Sequence, residues 1–456
     1  MTETTIAALA TPPAPSGLGV IRISGPEAHR IAARVFTPIH TEKSIETAKG
    51  YTALYGTVSD TGGTLDDCVA LVFHAPHSYT GEDVVELSCH GGLYLLQRVL
   101  RACLDAGAVP AAAGEFTRRA FLNGKMDLSG AEAVMSLIGA EGDLSLRTAL
   151  ATREGAVFRR MNEVGDALIA VNAAFSAYVD YPDEDIPELE PQTLEHTLET
   201  SAETLRALLA TFDAGKILRE GIQTVIAGAP NVGKSTLMNA LSGYDRSIVT
   251  PIPGTTRDVV EETVRLGEIT LRLADTAGIR ETEDTVEKIG VDLTGKRLAA
   301  AALVLAVFDG SRALTQDDET VIAQIGNIPA IAIINKSDKK QEINSEYIKN
   351  RFSHVVFLSA QTGEGMEALS EAVEQITGVC GLDAAQPVLA TERQRQCAMR
   401  CLQAITEALE TLRGGITPDA VSVLIDEALE AVLALTGKRV SEAVLEEIFS
   451  RFCVGK

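Results

Sequence analysis

Several features that would mark a membrane or exported protein are missing from this 456-residue chain. No run of 18 apolar residues occurs, although 46% of the residues are hydrophobic, so no transmembrane helix is expected. The opening segment MTETTIAALATPP lacks the basic stretch that begins a secretory signal peptide. The seven cysteines include no C-x-x-C pair, and their odd number argues against a closed set of disulfides. These absences predict a protein of the reducing cytoplasm.

Basic residues are scarce relative to acidic ones. The chain has 40 Lys and Arg against 63 Asp and Glu, which gives a formal net charge of −23. This balance argues against broad nucleic-acid binding, because neutralisation of phosphates dominates that affinity. Any RNA contact would need local basic patches, and each candidate patch could equally be a solvated helix face. The candidates are Arg118 and Arg119 with Lys125, and Arg153 with Arg159 and Arg160.

The length and the changing residue pattern predict several domains rather than one core. Residues 1–118 mix short alternating apolar runs with Gly and Pro, which predicts an α+β module. Residues 216–380 alternate strand and helix patterns, as an α/β domain does. Residues 119–215 and 381–456 have helical periodicity, so the α/β domain is an insert between two helical segments that could pack as one domain.

The most informative segment is GAPNVGKS at residues 228–235, between an apolar run at 224–227 and a helical pattern at 236–241. Strand, glycine loop and helix in this order form a phosphate cradle, in which backbone N–H groups and the helix N-terminus face the phosphates. Lys234 would add a positive charge at the β- and γ-phosphates. The hydroxyl of Ser235 would ligate Mg²⁺.

Three further segments follow in the order expected of a guanine-nucleotide domain. Asp275 begins the sequence DTAG after a strand pattern and suits a Mg²⁺-holding role, while Gly278 lets a backbone N–H approach the γ-phosphate. In NKSD at 335–338, the carboxylate of Asp338 can accept two hydrogen bonds that guanine offers and adenine does not. Ser359 and Ala360 follow another strand pattern, where backbone could contact the guanine carbonyl.

These segments predict a GTP site with an unusual catalytic slot. Ile279 stands where Ras-like enzymes carry the glutamine that orients the attacking water, so another group must do this, or the domain is a switch that hardly hydrolyses GTP. The predicted nucleotide contacts are Asn231, Val232, Gly233, Lys234, Ser235, Thr236, Thr250, Pro251, Ile252, Pro253, Gly254, Thr255, Thr256, Asp275, Thr276, Ala277, Gly278, Asn335, Lys336, Asp338, Ser359 and Ala360. Among them, Thr256 is the residue expected to close over the γ-phosphate and complete the Mg²⁺ shell.

Motifs along the whole chain resemble one family. The nucleotide domain, with GTTRD at 254–258 and Ile279, resembles GTPases that act on RNA, a group that includes Era and EngA. The remaining chain resembles the MnmE family, also called TrmE, whose members are tRNA-modification GTPases. The motifs that carry this resemblance are ATPP at 10–13, GVIRISG at 19–25, SYTGED at 78–83, ELSCHGG at 86–92, GEFT at 114–117, AFLN at 120–123 and the terminal FCVGK.

The resemblance implies a multidomain α/β plus α protein. Its parts would be an N-terminal α+β domain (1–118) similar to folate-binding one-carbon domains, which also forms a homodimer, an inserted Ras-like P-loop GTPase domain (216–380), and a helical domain from 119–215 and 381–456. It also implies joint action with the FAD protein MnmG on certain tRNAs. The product would be an aminomethyl or carboxymethylaminomethyl group at carbon 5 of the wobble uridine.

The family's site residues carry over to matching positions. A tetrahydrofolate derivative, in the 5-formyl or 5,10-methylene form, would contact Arg22, Glu86, Lys125 and Lys456. A carboxylate can hold the amino and N–H groups of a pterin, and cations suit its glutamate tail. We expect Cys453, in the terminal FCVGK, to take part in the uridine modification. The alternative is that this thiol is a small apolar anchor for the tail.

The family also implies K⁺-activated hydrolysis in a dimer of GTPase domains. Asn231, Thr250, Ile252 and Thr255 match the K⁺ ligands, while Ser235 and Thr256 would hold Mg²⁺. K⁺ would stand where an arginine finger otherwise stabilises developing charge. Glu287 matches the glutamate that positions the attacking water indirectly. It would therefore take over the role of the glutamine that is missing at position 279. Three alternatives remain at this point: a ribosome-assembly GTPase of the Era/EngA type, a folate-dependent enzyme with a regulatory GTPase, and a dimerisation scaffold.

Overall fold

The computed structural model describes residues 4–40, 42–180, 191–244, 262–273, 301–415 and 418–456. It divides into two compact units, Met1–Met135 with Val432–Lys456, and Ser136–Ala431. The four-part division at 118, 215 and 380 is finer than this and stays a prediction. No helix within the described ranges is long and apolar enough to cross a membrane.

The first unit is built on a seven-stranded sheet in the order β3-β4-β5-β6-β2-β1-β7. Its elements up to the second unit are β1 Ile6–Leu9, β2 Ser16–Ser24, α1 Ala28–Val35, β3 Phe36–Pro38, β4 Thr52–Asp60, β5 Gly63–Phe73, β6 Val84–Gly91, α2 Leu93–Asp105, β7 Val109–Pro110, α3 Glu115–Leu122 and α4 Leu128–Ile138. The mixture of strands and helices expected for this part of the sequence is therefore present.

Strand alternation decides which side chains of this sheet face the core. On β2, Ile21 and Ile23 are fully buried, whereas Arg22 between them is only half-buried. On β6 the buried Val85 and Leu87 flank the half-buried Glu86 in the same way. Burial of each large aliphatic side chain stabilises the fold by about 1.5–3 kcal/mol. The alternation also leaves Arg22 and Glu86 together on the opposite face, since successive side chains of a strand point to opposite sides.

The second unit contains a six-stranded sheet in the order β13-β12-β11-β8-β10-β9, parallel except for the β9–β10 pair. Its elements are α5 Asp143–Arg153, α6 Ala156–Asp180, α7 Pro191–Ala210, α8 Phe212–Glu220, β8 Ile222–Ala227, α9 Lys234–Tyr244, β9 Glu262–Leu266, β10 Ile269–Leu273, β11 Leu303–Asp309, α10 Gln316–Ile325, β12 Ala330–Asn335, α11 Ser345–Lys349, β13 His354–Leu358, α12 Met366–Ile376, α13 Glu392–Arg413 and α14 Pro418–Thr436. The chain then continues to α15 Glu442–Ser450.

The two central strands of this sheet, β11 and β12, are apolar up to their last residues, Asp309 and Asn335. Every residue of β11 and β12 is buried, as in parallel sheets generally. Because β8, β11, β12 and β13 are parallel, their carboxyl ends meet at one edge, where open α/β sheets bind ligands. The helices α7 and α13, which lie on either side of this α/β region in sequence, pack against each other.

Candidate functional site

The glycine loop joins β8 to α9 with a backbone shape that few residues adopt. Asn231 has φ 61° and Gly233 has φ 98°. At Gly233, a Cβ atom would come within 2.3 Å of Asn335 Nδ2 and also needs a left-handed conformation that side chains disfavour. At Gly233, just before α9 begins, no Cβ atom covers the backbone of the loop. This is the arrangement by which N–H groups bind phosphate.

Lys234 begins α9 and its side chain lies back over the loop. Its Nζ donates to the carbonyls of Gly228 at 2.9 Å and Ala229 at 2.8 Å. Burial lowers the pKa of this ammonium, because removal from water disfavours the charged form. Ser235 and Thr236 follow in the first turn and are exposed. The structure therefore places the predicted phosphate-binding cation and the predicted Mg²⁺-binding hydroxyl at the same helix N-terminus.

Asn335 connects three of the predicted segments. It ends β12, is buried, and its Nδ2 donates to the carbonyl of Val232 in the glycine loop at 2.8 Å. Its Oδ1 accepts from the N–H of Ala360 at 3.0 Å. The first residue of the NKSD segment is thus a brace between the phosphate loop and the loop after β13. Both the nitrogen and the oxygen of its carboxamide are hydrogen-bonded to the protein.

Lys336 forms an ion pair that was not predicted from the sequence. Its Nζ contacts Asp309 Oδ2 at 2.5 Å and donates to the carbonyl of Asn231 at 3.2 Å. Burial alone would raise the pKa of Asp309, but hydrogen bonds from Lys336 and Ser311 outweigh it and hold that pKa below its ordinary value. The sequence feature that could have indicated Asp309 is its place at the end of the apolar run 303–309. A carboxylate there faces the same sheet edge as the predicted site.

Asp338 lies two residues further on and is exposed. Its Oδ1 accepts a hydrogen bond from the hydroxyl of Ser359 at 2.6 Å. Since one carboxylate oxygen is held by Ser359, the orientation of the group is fixed while it stays open to solvent. This geometry suits a carboxylate that accepts from a base. The segments at 335–338 and 359–360 therefore lie together, and their contacts with the base stay predictions.

The remaining predicted nucleotide and ion contacts lie outside the described residues. They are Thr250, Pro251, Ile252, Pro253, Gly254, Thr255, Thr256, Asp275, Thr276, Ala277 and Gly278, together with Ile279 and Glu287. Their roles stay predictions.

A second candidate site lies in the first unit, where Arg22 and Glu86 face each other across β2 and β6. Arg22 Nε donates to Glu86 Oε1 at 2.7 Å, and Arg22 Nη1 donates to the carbonyl of Gly455 at 3.4 Å. The guanidinium carbon lies 5.4 Å from the ring centres of both Tyr79 and Phe116, a favourable cation–π distance. Arg22 thus joins the strand carboxylate to the C-terminal tail.

Glu86 and Lys125 line one cavity of about 260 Å³, with Tyr51, Phe73 and Tyr79 among its other lining residues. Lys125 Nζ donates to the carbonyl of Pro76 at 3.0 Å. Lys456 is held beside this region by its carbonyl, which accepts from the N–H of Phe116 at 3.1 Å. The four positions predicted to contact folate are therefore linked. Glu86 and Lys125 line the cavity, and Arg22 pairs with Glu86. Arg22 also contacts Gly455, the residue before Lys456.

The C-terminal tail is anchored by residues other than Cys453. Phe452 is buried, and Gly455 at φ 98° packs so closely that a Cβ atom would come within 2.2 Å of the Leu9 carbonyl. Cys453 itself is exposed, and its carbonyl accepts from the N–H of Gly114 at 3.4 Å. The alternative that this thiol packs the tail is therefore wrong. Its part in the uridine modification stays a prediction.

One of the two basic patches expected from the sequence is not formed. The side chain of Arg119 is 2% exposed and forms ion pairs with Glu82 at 3.1 Å and Glu115 at 2.8 Å. Arg118 contacts Glu442. The charge of Arg119 is neutralised inside the fold, and that of Arg118 is paired with Glu442 at the surface. Arg118 and Arg119 therefore do not form an RNA-binding patch with Lys125.

The second basic patch does lie at the surface. Arg153, Arg159 and Arg160 are exposed, with Arg160 Nη1 2.7 Å from Glu163 Oε2.

Comparison with known proteins identifies the family. A model described as the TrmE N-terminus of a GTP-binding protein matches residues 5–125, and one described as the MnmE helical domain matches residues 128–453. The chain belongs to the MnmE family of tRNA-modification GTPases. Its match to this family takes in both the candidate nucleotide site and the region of Arg22 and Glu86.

Curated members of the MnmE family match from end to end. The protein named tRNA modification GTPase MnmE from Symbiobacterium thermophilum is 42% identical, with 100% of both chains covered. Those from Geobacter sulfurreducens and Clostridioides difficile are 41% and 38% identical, each with 100% of this chain and 99% of the relative covered. The resemblance inferred from the motifs is confirmed.

Proposed function

We propose that this chain hydrolyses GTP and, with the FAD-containing partner MnmG, installs an aminomethyl or carboxymethylaminomethyl group at carbon 5 of the wobble uridine of certain tRNAs. Family membership and the guanine-nucleotide segments support the GTPase part. The observation that carries the modification part is the pair of Arg22 and Glu86, because it lies beside both a cavity and the tail that carries Cys453.

The cavity of the first unit is proposed to bind a tetrahydrofolate derivative in the 5-formyl or 5,10-methylene form, which would supply the one-carbon unit. Glu86 offers a carboxylate that can accept from pterin N–H groups, and its own orientation is fixed by Arg22. The rings of Tyr51, Phe73 and Tyr79 provide flat apolar walls for a heterocycle. Lys125 and Lys456 are cations suited to the glutamate tail. A fold similar to folate-binding one-carbon domains is part of this proposal.

The GTPase reaction is proposed to need two ions. Ser235 and Thr256 would hold Mg²⁺, and Asn231, Thr250, Ile252 and Thr255 would hold K⁺. The left-handed backbone of Asn231, fixed through its carbonyl by Lys336, supports a special role at the start of the loop. K⁺ supplies positive charge at the phosphates when two GTPase domains pair across the nucleotide. Glu287 would position the attacking water indirectly, and Lys234 would stabilise charge that develops on the phosphates.

Partners and location belong to the same proposal. The chain would act in the cytoplasm as a homodimer through its N-terminal part, and would bind tRNA together with MnmG. With the Arg118–Arg119 patch excluded and a net charge of −23, tRNA affinity is expected to depend on this joint surface rather than on the chain alone.

The test is mass spectrometry of tRNA nucleosides from a deletion strain that carries either the wild-type chain or a variant. Glu86→Gln should restore no modified wobble uridine, because the amide loses the charge that holds the pterin and Arg22, while GTP hydrolysis by the purified variant stays intact. The matched control is Glu46→Gln, an exposed glutamate of the same unit, which should restore modification fully. Full modification with Glu86→Gln, or unchanged nucleosides in the deletion strain itself, would overturn the proposal.

A further inference from the structure

Two histidines and an aspartate meet in the first unit, outside both sites described above. His29 lies on α1, His74 directly follows β5, and Asp83 directly precedes β6. One ligand atom from each lies within 4.8 Å of those of the other two. The two imidazole rings are 4.4 Å apart, centre to centre, and are tilted by 60°. Three separate segments of chain therefore converge on one point.

The hydrogen bonds of the two histidines fix which nitrogen is available. His29 Nε2 lies 2.9 Å from the carbonyl of Phe73, and His74 Nε2 lies 2.9 Å from the carbonyl of Ala48. A carbonyl only accepts, so both Nε2 atoms must carry the proton. In the neutral rings the Nδ1 lone pairs are then free. A backbone carbonyl on the far nitrogen is the arrangement that orients metal-binding histidines.

Both Nδ1 atoms face the carboxylate of Asp83 at distances that are too long for hydrogen bonds. His29 Nδ1 is 3.6 Å from Oδ2, and His74 Nδ1 is 3.8 Å from Oδ1. Two lone pairs turned towards an anion need a positive charge between them. Bonds of 2.0–2.1 Å to a tetrahedral Zn²⁺ place neighbouring ligand atoms about 3.3 Å apart. The site would therefore be completed by shortening the 3.6 and 3.8 Å distances and the separation of the two nitrogens, which is within 4.8 Å.

Asp83 is also held in place by the surrounding backbone. Its Oδ1 accepts from the N–H of Ala75 at 2.9 Å, and its carbonyl accepts from the N–H of Gly25 at 3.0 Å. The side chain of His29 is 12% exposed, that of Asp83 31% and that of His74 41%. The site is therefore shielded on the side of α1 and open to solvent beside His74, which leaves room for a water as fourth ligand.

We infer that His29 Nδ1, His74 Nδ1 and the carboxylate of Asp83 bind a divalent transition-metal ion, for which Zn²⁺ has the fitting geometry. Imidazole and carboxylate ligands suit this class of ion. The metal would join α1 to the connection between β5 and β6. Phe73, which precedes His74, and Val84, which follows Asp83, both line the cavity described above. Metal binding would therefore stiffen one wall of that cavity.

The test uses the full-length chain without a polyhistidine tag, stripped with a chelator and then incubated with Zn²⁺. Wild type should retain one Zn²⁺ per chain after gel filtration, and Co²⁺ should give the visible absorption of a tetrahedral site. His29→Ala, His74→Ala and Asp83→Asn should each weaken binding at least about tenfold, in line with the losses seen when metal-site groups are removed. Asp83→Asn can keep the bond to Ala75, so its folding should be preserved.

The matched control is His90→Ala, because His90 also pairs with an aspartate in the same sheet. His90 Nδ1 lies 2.7 Å from Asp66 Oδ1, an ordinary hydrogen bond that leaves no space for an ion. This variant should bind Zn²⁺ like wild type. GTP hydrolysis should be unchanged in all four variants. Their metal-free far-UV circular dichroism spectra should match that of wild type, which shows that the first unit is folded too. Two results would overturn the inference: folded wild type that binds neither Zn²⁺ nor Co²⁺, or equal Zn²⁺ content in wild type and Asp83→Asn. The cluster would then bind no metal ion.

Discussion

Asn335 donates through Nδ2 to the carbonyl of Val232 at 2.8 Å, so the segment expected to recognise the base is fastened to the loop expected to bind the phosphates. The same carboxamide accepts from the N–H of Ala360 at 3.0 Å. Three loops that are far apart in sequence are thereby held in one arrangement by a single buried side chain. Such preorganisation lowers the ordering cost that a nucleotide would otherwise meet on binding.

Asn335→Asp tests this relationship. The variant keeps the acceptor for Ala360 but turns a carboxylate oxygen towards the Val232 carbonyl, so a buried acceptor loses its donor at a cost of about 1–3 kcal/mol. GDP affinity should fall about tenfold or more, and the thermal midpoint should decrease, as calorimetry can measure. Asn350→Asp, at an exposed position of the same unit, should change neither quantity. Unaltered GDP affinity in Asn335→Asp would show that the brace is irrelevant to binding.

The parts of the nucleotide site that sequence could predict are those encoded locally. The glycine loop, the NKSD segment and Ser359 each follow an apolar run, and the structure places each one at the carboxyl end of a parallel strand, β8, β12 and β13. Parallel strands bring their carboxyl ends to one edge, so residues predicted one by one come together. The family pattern, rather than any local signal, singled out Arg22 and Glu86, and their pairing across β2 and β6 was not predicted.

Partners that depend on distant strand pairing could not be predicted. Asp309 meets Lys336 because β11 lies beside β12 with Asp309 opposite Asn335, a register that no local pattern encodes. Arg119 was expected at the surface because charged residues are rarely buried. It lies inside because Glu82, distant in sequence, and Glu115 supply the opposite charges.

Asp338→Asn should shift preference from GTP towards XTP. Ser359 already donates its hydroxyl hydrogen to Asp338 Oδ1, so an amide there would keep its oxygen towards Ser359 and turn its NH₂ towards the base. Guanine presents N–H donors at that position, whereas xanthine presents a carbonyl. The measurement is competition between the two nucleotides, with an expected change in relative affinity of about 100-fold or more from the loss and gain of charged-group hydrogen bonds. Unchanged relative affinities would remove Asp338 from base recognition.

GDP affinity should fall as pH rises through the titration of Lys234. Burial lowers the pKa of Lys234 in the folded chain, so the unfolded chain holds more protons between that value and the ordinary lysine pKa. In this window, the stability contributed by this group rises with pH as the buried charge is lost. Bound phosphates favour the ammonium, so binding takes up a proton. Calorimetry at increasing pH, up to the ordinary lysine pKa of about 10.4, should show this. Lys234→Met should bind weakly and with a shallower decline, because only the ionisation of guanine itself then remains. Equal pH profiles would contradict the assignment.

GTP hydrolysis should be faster in K⁺ than in Na⁺ at equal ionic strength and saturating Mg²⁺. A cation at the phosphates stabilises developing charge as an oxyanion-hole donor does, so the difference should be about tenfold or more. Asn231→Lys should lower the ion dependence, because its ammonium would stand where the ion is expected. Phosphate release in both salts is the measurement. Equal rates for the wild-type chain would count against ion activation.

Cys453→Ser should reduce modified wobble uridine in vivo while K⁺-stimulated GTP hydrolysis and the thermal midpoint stay unchanged. The reason is that Cys453 is exposed, whereas the tail is held by the buried Phe452 and by the bonds of Gly455 and Lys456 to Arg22 and Phe116. Replacing sulfur with oxygen therefore removes the thiol chemistry without disturbing the anchor. Cys380→Ser, which changes another exposed cysteine, is the matched control and should leave modification intact. Nucleoside mass spectrometry of complemented deletion strains is the measurement, and full modification with Cys453→Ser would mean that the thiol has no part in the reaction.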